Sequence, residues 1–296
     1  MFENILVPLD GSKLSEAALE AAAVLAGGLG SSVTLLHVVE EDPPAEVHKE
    51  RHLRNADEAN AYLRDAAPRA FSASTAVKTH VHESPVENVA RSIVAHATAE
   101  FQPDLIVAST HGRGGMRDLL FGSIAQQIVA QGTTPLLLVK PNSPAFRIGK
   151  ILLPLDPDSV HDESLPSGEA LALAFKAELH LVSIIPTYAT LTGEQAAASS
   201  LMPATTQAVL DLDDERASGH LKEHVESLTR LGITSAFTVA RGDPATAILK
   251  TADEAKVDLI ILSTHRKAGL GAFWSRSVAP KIAQRTRIPL LLIPLQ

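Results

Sequence analysis

The chain has 296 residues, no cysteine, and a formal net charge of −8 that comes from 26 basic and 34 acidic side chains. The acidic balance argues against a general nucleic-acid surface, because binding to a phosphate backbone normally needs a basic face. Without cysteine, disulfides, thiol catalysis and cysteine-bound zinc are excluded. No apolar run approaches the ~20 residues that a membrane-spanning helix needs, and the N-terminus lacks a secretory pattern, so we expect a cytoplasmic protein.

Strand-like and helix-like segments alternate along the first half of the chain. Residues 5–9 predict a strand, Ser12 is expected to cap the next helix, and the glycines up to Gly30 end that helix. The segments that follow are predicted as strand 33–39, helix 47–66, strand 76–81, helix 85–99, strand 105–109, helix 122–131 and strand 136–139. The second half repeats this order. Such alternation favours parallel strands joined by helical crossovers. The predicted fold is therefore α/β, with two tandem doubly wound (Rossmann-like) domains, each a five-stranded parallel sheet flanked by helices.

The chain carries an internal repeat. Ile5-Leu-Val-Pro-Leu-Asp10 matches Ile151-Leu-Leu-Pro-Leu-Asp156 at an offset of 146 residues, whereas the segment from Asp104 to His111 matches residues 258–265 at an offset of 154. The second copy therefore holds eight more residues, which we expect in the polar stretch 187–206. The turn-rich segment 141–144 marks the boundary and predicts domains at residues 1–144 and 145–296.

The loop after the fourth strand is rich in glycine. It reads Ser-Thr-His-Gly-Arg-Gly-Gly over residues 109–115 and leads to Gly122-Ser123 at the start of a helix. Glycine lets a ligand approach the backbone closely, and a helix N-terminus attracts phosphate. An anion site, with Arg113 or Arg117 as a mobile cation, and a plain connection capped by Ser123 both fit this pattern. A Walker loop is excluded because no Gly-Lys-Ser/Thr occurs, and the dinucleotide fingerprint fails because position 117 is arginine.

The loop resembles the universal stress protein family, whose ATP-binding members carry Gly, two residues, Gly, nine residues, and then Gly-Ser or Gly-Thr. Gly112, nine residues and Gly122-Ser123 match the last two elements, and Ser109 stands in the place of the first glycine. The first-strand pattern Ile-Leu-Val-Pro-Leu-Asp-Gly-Ser and the Leu-Leu-His-Val segment at 35–38 extend the resemblance. Because the motifs occur twice, the chain is similar to a tandem member of that family.

The resemblance implies an adenine-nucleotide site in the first half of the chain. Asp10 would line the adenosine end, the Val38 backbone would face the adenine edge, and Ser109 would border the ribose. The residues implied to bind the nucleotide are Pro8, Asp10, Val38, Ser109, Gly112, Arg113, Gly122, Ser123 and Ile124. The implied ligand is ATP, with or without Mg²⁺. The implied assemblies are a pairing of the two halves through their edge strands and a homodimer of chains, with no nucleic-acid or membrane partner.

The second copy of the loop keeps the spacing but not the glycines. Arg266 and Arg276 stand where the first copy has Gly112 and Gly122, and Trp274 adds bulk nearby. Because side chains would project where the amides should meet phosphate, we expect that the C-terminal half does not bind ATP in the family manner.

Patterns for catalysis and for metal binding are weak. There is no Gly-x-Ser-x-Gly elbow, so no catalytic residue is predicted. His48 and His52 are expected on a solvated helix face, and His80 and His82 on a polar edge strand. No third ligand follows at a recognised zinc spacing, so no metal site is predicted either.

The leading functional hypothesis is a stress-response protein that binds ATP as a conformational ligand, with at most slow ATPase activity. One alternative is an ATP-using phosphoryl- or adenylyl-transfer enzyme. A second alternative is a scaffold that binds no nucleotide.

Overall fold

The structure is a computed structural model that describes residues 1–43, 45–47, 50–110, 123–156, 159–191, 193–264 and 278–295. The elements of the first repeat are β1 (Asn4–Pro8), α1 (Ala17–Leu29), β2 (Ser32–Glu40), β3 (Glu46–Val47), β4 (Glu50–Arg51), α2 (Ala56–Ala70), β5 (Val77–Val86), α3 (Val89–His96), a π-helical turn (Ala97–Phe101), β6 (Leu105–Ser109), α4 (Ser123–Gln131) and β7 (Leu136–Val139).

The second repeat follows the same order. Its elements are β8 (Lys150–Pro154), a 3-10 helix (Ser159–Ser164), α5 (Leu165–Phe175), β9 (Glu178–Ile185), α6 (Gly193–Leu201), α7 (Pro203–Arg230), β10 (Ser235–Arg241), α8 (Pro244–Ala255), β11 (Leu259–Thr264), α9 (Val278–Arg285) and β12 (Leu290–Pro294). By their contacts the residues divide into two compact units. The first unit is Met1–Arg147 together with Thr264–Gln296, and the second is Ile148–Ser263.

The first unit contains a parallel sheet in the order β5-β2-β1-β6-β7. Its central strands are continuous apolar runs; Ile5, Leu6 and Val7, for example, are at most 1% exposed. Such runs are typical of strands that are covered by helices on both faces. Beyond β7, the strand β12 pairs in the antiparallel direction, with Leu291 opposite Leu137. The strands that the sequence places at the two sheet edges are thus hydrogen-bonded to each other, as predicted.

The second unit contains the parallel order β10-β9-β8-β11. The predicted insertion at 187–206 holds α6 and the first turn of α7. Helix α7 spans 28 residues and buries one stripe of side chains, which consists of Leu210, Ala217, Leu221 and Leu228. Both units confirm the predicted α/β class with a mainly parallel sheet.

Three predicted helix starts are wrong. The helix expected at 47–66 begins only at Ala56, because the Asn55 side chain caps it by accepting the Glu58 N–H at 2.9 Å, and the preceding residues form the β3–β4 hairpin. The helix expected from residue 85 begins at Val89, because β5 stays paired with β2 as far as Val86.

Ser12 does not cap α1. The helix begins at Ala17 with Glu16 as its N-cap residue, and Ser12 instead caps the preceding turn, in which its Oγ and its carbonyl accept the Ser15 N–H at 3.2 and 3.1 Å. The strands 105–109 and 136–139 lie where they were predicted. Among the described residues, no helix combines the length and the apolar character needed to cross a membrane.

Candidate functional site

The strand order of the first unit reverses between β1 and β6. From β1 the chain moves through β2 to β5 on one side, whereas β6 and β7 lie on the other side. In doubly wound sheets, ligands bind beyond the carboxyl ends of the strands at such a reversal. Among the predicted residues, Pro8 ends β1 and Asp10 follows that strand, Ser109 ends β6, and Val38 lies near the end of β2. These four predicted site residues are therefore brought to one edge of the sheet.

Asp10 organises the turn that follows β1. Its Oδ1 accepts the Ser12 N–H at 2.9 Å and the Ser12 hydroxyl at 2.7 Å. Between them, Gly11 has φ +88°, a conformation that L side chains rarely adopt. The described contacts of this carboxylate thus fix a tight turn, which places its carboxyl group at the end of the strand.

His37 holds the ends of β1 and β2 together. The Nδ1–H donates to the Leu9 carbonyl at 2.8 Å, and the Leu9 N–H donates to the Leu36 carbonyl at the same distance. The ring is only 2% exposed, and this burial is the main reason why the pKa of His37 is lowered, although the Leu9 bond acts in the opposite direction. The lowered pKa favours a neutral imidazole at His37, and the side chain of the next residue, Val38, is also buried.

The segment that follows β2 contacts the Asp10 turn. The Glu50 carboxylate accepts the Lys13 N–H at 2.8 Å, and an added Cβ on Gly11 would lie 2.7 Å from Leu53. His52 is buried beside Glu40, with 3.4 Å between Nε2 and Oε1. The sequence does not predict these contacts, because the pattern of residues 47–66 predicts a single helix. The Asn55-Ala-Asp-Glu58 pattern, which is a helix-start signature, was the signal that could have found them.

Glu16 joins the turn before α1 to α2. Its Oε1 accepts the Tyr62 hydroxyl at 3.1 Å and an Arg69 N–H at 3.0 Å. Burial, and then the Glu16 charge, raises the pKa of Tyr62, so this phenol remains a donor. No sequence motif marks this contact, because its members lie about 50 residues apart on surfaces of ordinary amphipathic pattern.

The phosphate end of the predicted site lies only partly in the described chain. Thr110 donates its N–H to the Val139 carbonyl at 2.8 Å, which fixes the exit of β6. The predicted residues Gly112, Arg113 and Gly122 lie outside the described residues, as do Arg266, Trp274 and Arg276 of the second repeat. Ser123 and Ile124 are the first two residues of α4, and the leading N–H groups of any helix lack intrahelical acceptors.

Two histidine groups were missed by the sequence reasoning. In the first unit, His80 and His82 of β5 meet His96 at ring-centroid distances of 5.2 and 4.8 Å, with Glu100 beside them. In the second unit, Asp162, His220 and His224 converge. The i, i+4 spacing of His220 and His224 was the one available signal, but the third ligand lies about 60 residues away in the chain.

Both repeats of the chain match one protein family. The sequence model of the universal stress protein family matches this chain twice, over residues 1–140 and 147–294. The chain is similar to universal stress protein Sll1654 of Synechocystis, with 32% identity over 139 residues, which cover 47% of this chain and 86% of that protein.

A solved structure of a universal stress protein has the same fold as this chain. A universal stress protein from Archaeoglobus fulgidus is 15% identical with a TM-score of 0.70, and the match covers 98% of this chain and 96% of that one. A universal stress protein solved in complex with cAMP matches half of this chain, with 17% identity, a TM-score of 0.33 and 98% coverage of that chain.

Proposed function

The chain belongs to the universal stress protein family, and from this premise we propose that its first repeat binds an adenine nucleotide as a regulatory ligand. ATP, with or without Mg²⁺, is the preferred ligand of this proposal. The observation that carries it is the position of Asp10, Val38 and Ser109 at the carboxyl-end edge of β1, β2 and β6, on both sides of the strand-order reversal. That edge is where doubly wound sheets hold nucleotides.

The contacts around Asp10 support this role. Its turn is held by two hydrogen bonds from Ser12, the adjoining strand ends are joined through His37, and Glu50 holds the backbone at Lys13. A surface that is ordered in advance loses less conformational entropy when a ligand binds. The adenosine end of the proposed site is therefore preorganised.

The phosphate end of the proposal rests on the sequence of residues 112–124. Glycine at 112 and 122 would let the triphosphate approach the backbone amides, and the N-terminus of α4 would add its partial positive charge. Arg113 would supply a mobile cation. In the second repeat, arginines occupy the two corresponding glycine positions, so we propose that nucleotide binding of this kind is confined to the first repeat.

The proposed role is regulatory rather than catalytic. The sequence contains no Walker lysine, and the described hydrogen bonds of Asp10 Oδ1 serve the turn. Bound ATP would bias a conformation or an association, including assembly of two chains, and any hydrolysis would be slow. The proposal places the protein in the cytoplasm, where ATP is abundant.

The decisive experiment combines identification of the bound nucleotide with a matched pair of variants. Mass spectrometry of ligand released from freshly purified protein is expected to find an adenine nucleotide. Gly122→Leu is expected to abolish ATP binding in a calorimetric titration, because the side chain would fill the space that the phosphates need. The control Arg276→Ala changes the corresponding position of the second repeat and is expected to leave the affinity unchanged.

Four results would contradict this proposal. Absence of nucleotide binding by the wild type would favour a scaffold role. Unchanged ATP affinity in Gly122→Leu would show that the nucleotide binds elsewhere in the protein. A product formed from ATP and a second substrate would favour group transfer. Turnover above about 1 per second, within the usual range of dedicated enzymes, would exclude a purely regulatory ligand.

A further inference from the structure

Two histidines of α7 share one edge of its buried stripe. His220 and His224 are separated by four residues, so their side chains lie one above the other on the helix. The neighbouring side chains of Ala217 and Leu221 are completely buried, which fixes the rotation of the helix against the sheet. Both imidazoles are therefore held at the border of the core, with 16% and 20% of their side-chain surfaces exposed.

Asp162 completes the group from a different element. It lies in the 3-10 helix Ser159–Ser164, which follows β8 and leads into α5. Its Oδ2 is 3.0 Å from His224 Nε2 and 3.2 Å from His220 Nε2, and the two nitrogens are 3.2 Å apart. Three potential ligand atoms thus form a nearly equilateral triangle.

Hydrogen bonds alone leave an unfavourable contact in this triangle. If both Nε2 atoms carry hydrogen, Oδ2 can accept both N–H groups, but the two nitrogens, each with a hydrogen, then lie only 3.2 Å apart. If one Nε2 does not, its lone pair faces a negatively charged oxygen at about 3 Å. The other carboxylate oxygen of Asp162, Oδ1, is buried and makes no hydrogen bond within the part of the chain that the structure describes. A buried carboxylate without full compensation is costly, and a cation bound to all three atoms would compensate the carboxylate charge and accept the imidazole lone pairs.

The dimensions match a transition-metal site. Zinc bonds of about 2.0–2.1 Å in tetrahedral geometry place neighbouring ligand atoms about 3.3 Å apart, close to the observed 3.0–3.2 Å. We propose that Asp162, His220 and His224 bind a divalent transition-metal ion, with Zn²⁺ as the best match. Two imidazoles and one carboxylate suit Zn²⁺ better than Mg²⁺ or Ca²⁺, which prefer oxygen ligands. The three protein ligands leave a fourth position for water or another small donor.

The repeat indicates what the metal would do. Asp162 corresponds to Glu16 at the offset of 146 residues that relates β1 to β8. Glu16 joins its turn to α2 through Tyr62 and Arg69, whereas Asp162 faces two imidazoles of α7. The metal ion would join the corresponding turn to the corresponding helix, and it would stabilise the second unit by linking elements about 60 residues apart.

The histidine group of the first unit provides an internal control. There, the Glu100 carboxylate lies 3.9 Å from His80 Nδ1 and 3.6 Å from His96 Nε2, and its side chain is half-exposed. These separations exceed those of the triangle in the second unit, so this group is the weaker candidate. A variant at His96 therefore tests whether the metal binds to the group in the second unit or to the histidine group of the first unit.

The test uses the full, untagged chain after chelator treatment. Titration with Co²⁺ is expected to give the visible d–d bands of a tetrahedral ion, and Zn²⁺ in competition with a chromogenic chelator is expected to bind at one equivalent. Since removal of an outer-shell partner alone weakens metal sites about 10–100-fold, His224→Gln is expected to weaken Zn²⁺ binding at least ~100-fold and to abolish the cobalt bands. His96→Gln is expected to change neither.

A second variant lies outside α7, so a loss of metal binding in it cannot result from a disturbed α7. Asp162→Asn retains size and polarity, leaves the helix untouched, and is expected to reduce Zn²⁺ affinity and to remove the Zn²⁺-induced rise in melting temperature. The proposal is overturned if the wild type binds Zn²⁺ no more tightly than His224→Gln does. It is also overturned if His96→Gln removes Zn²⁺ binding while Asp162→Asn retains it. Circular dichroism confirms that each variant is folded. Because ATP takes no part in these readouts, failure here would leave the nucleotide proposal unaffected.

Discussion

The turn at Asp10 shows what single residues contribute to the first unit. Asp10 binds Ser12 through its carboxylate, and Gly11 adopts a left-handed conformation between them. The sequence pattern placed Asp10 at a strand end, as the structure has it. It does not predict that Leu53, more than 40 residues away, occupies the space where a Cβ on Gly11 would lie. It also predicts Ser12 as the cap of α1, whereas the Ser12 side chain caps the turn before that helix.

Gly11→Ala is expected to destabilise the protein by at least about 1 kcal/mol, because a left-handed backbone costs an L residue roughly 1–2 kcal/mol and the new Cβ would meet Leu53 at 2.7 Å. Gly27→Ala is the control, since Gly27 lies within α1 and an added Cβ finds no atom within 4 Å. There alanine is expected to stabilise by about 0.5–1 kcal/mol. Urea denaturation measures both changes, and a loss of stability in the control variant would contradict this reading.

At the scale of elements, the sequence predicted strands better than helix starts. The strands 105–109 and 136–139 are apolar except for Ser109, so they lack the polar face of a surface helix, and the structure has them at those bounds. The sequence predicts that α2 begins at residue 47, because the charged residues of 47–55 fit a solvated helix. The side chain of Asn55 decides the start instead, and the hairpin before it is held by contacts to the Asp10 turn, such as that between Glu50 and Lys13, which local periodicity does not encode.

Asn55→Ala is expected to cost about 1 kcal/mol of stability, because it removes the acceptor for the Glu58 N–H at the start of α2. Asn60→Ala, inside the same helix, is the matched control and is expected to stabilise by about 0.5 kcal/mol through helix propensity. Thermal unfolding at fixed pH compares the two variants. Equal effects of the two substitutions would show that the Asn55 cap contributes nothing.

At the scale of the whole molecule, the repeat predicted the fold class, and contacts distant in sequence determined the rest. The domain bounds 1–144 and 145–296 remain a prediction, whereas the contacts group Thr264–Gln296 with the first unit. The triangle of Asp162, His220 and His224 joins elements that no short motif connects. A repeat identifies equivalent elements, but it does not reveal which different contacts the two copies make at equivalent positions.

The pairing of β7 with β12 predicts how fragments behave. A fragment of residues 1–147 would expose the apolar edge of Leu136–Val139, because Leu290–Leu292 would no longer pair with it. We expect this fragment to self-associate alone and to form a 1:1 complex when residues 148–296 are added, as measured by analytical ultracentrifugation.

Leu291→Pro in the larger fragment is the control for that experiment. Leu291 lies opposite Leu137 in the β7–β12 pair, and proline disfavours a paired strand because it has no N–H to donate, so the 1:1 complex is expected to be lost. A 1–147 fragment that stays monomeric and does not bind the 148–296 fragment would contradict the predicted role of the β7–β12 pair.

The distance along the chain between β7 and β12 also has a consequence for biosynthesis. The first strand ends at Val139 and its partner begins at Leu290, so about 150 residues, roughly 8–30 s of translation at ~5–20 residues per second, separate their emergence from the ribosome. During that interval, nascent copies on one polysome present the same open strand to each other. Each newly made chain therefore needs its own β12 to pair with β7 before a neighbouring chain on the same messenger RNA pairs with that strand.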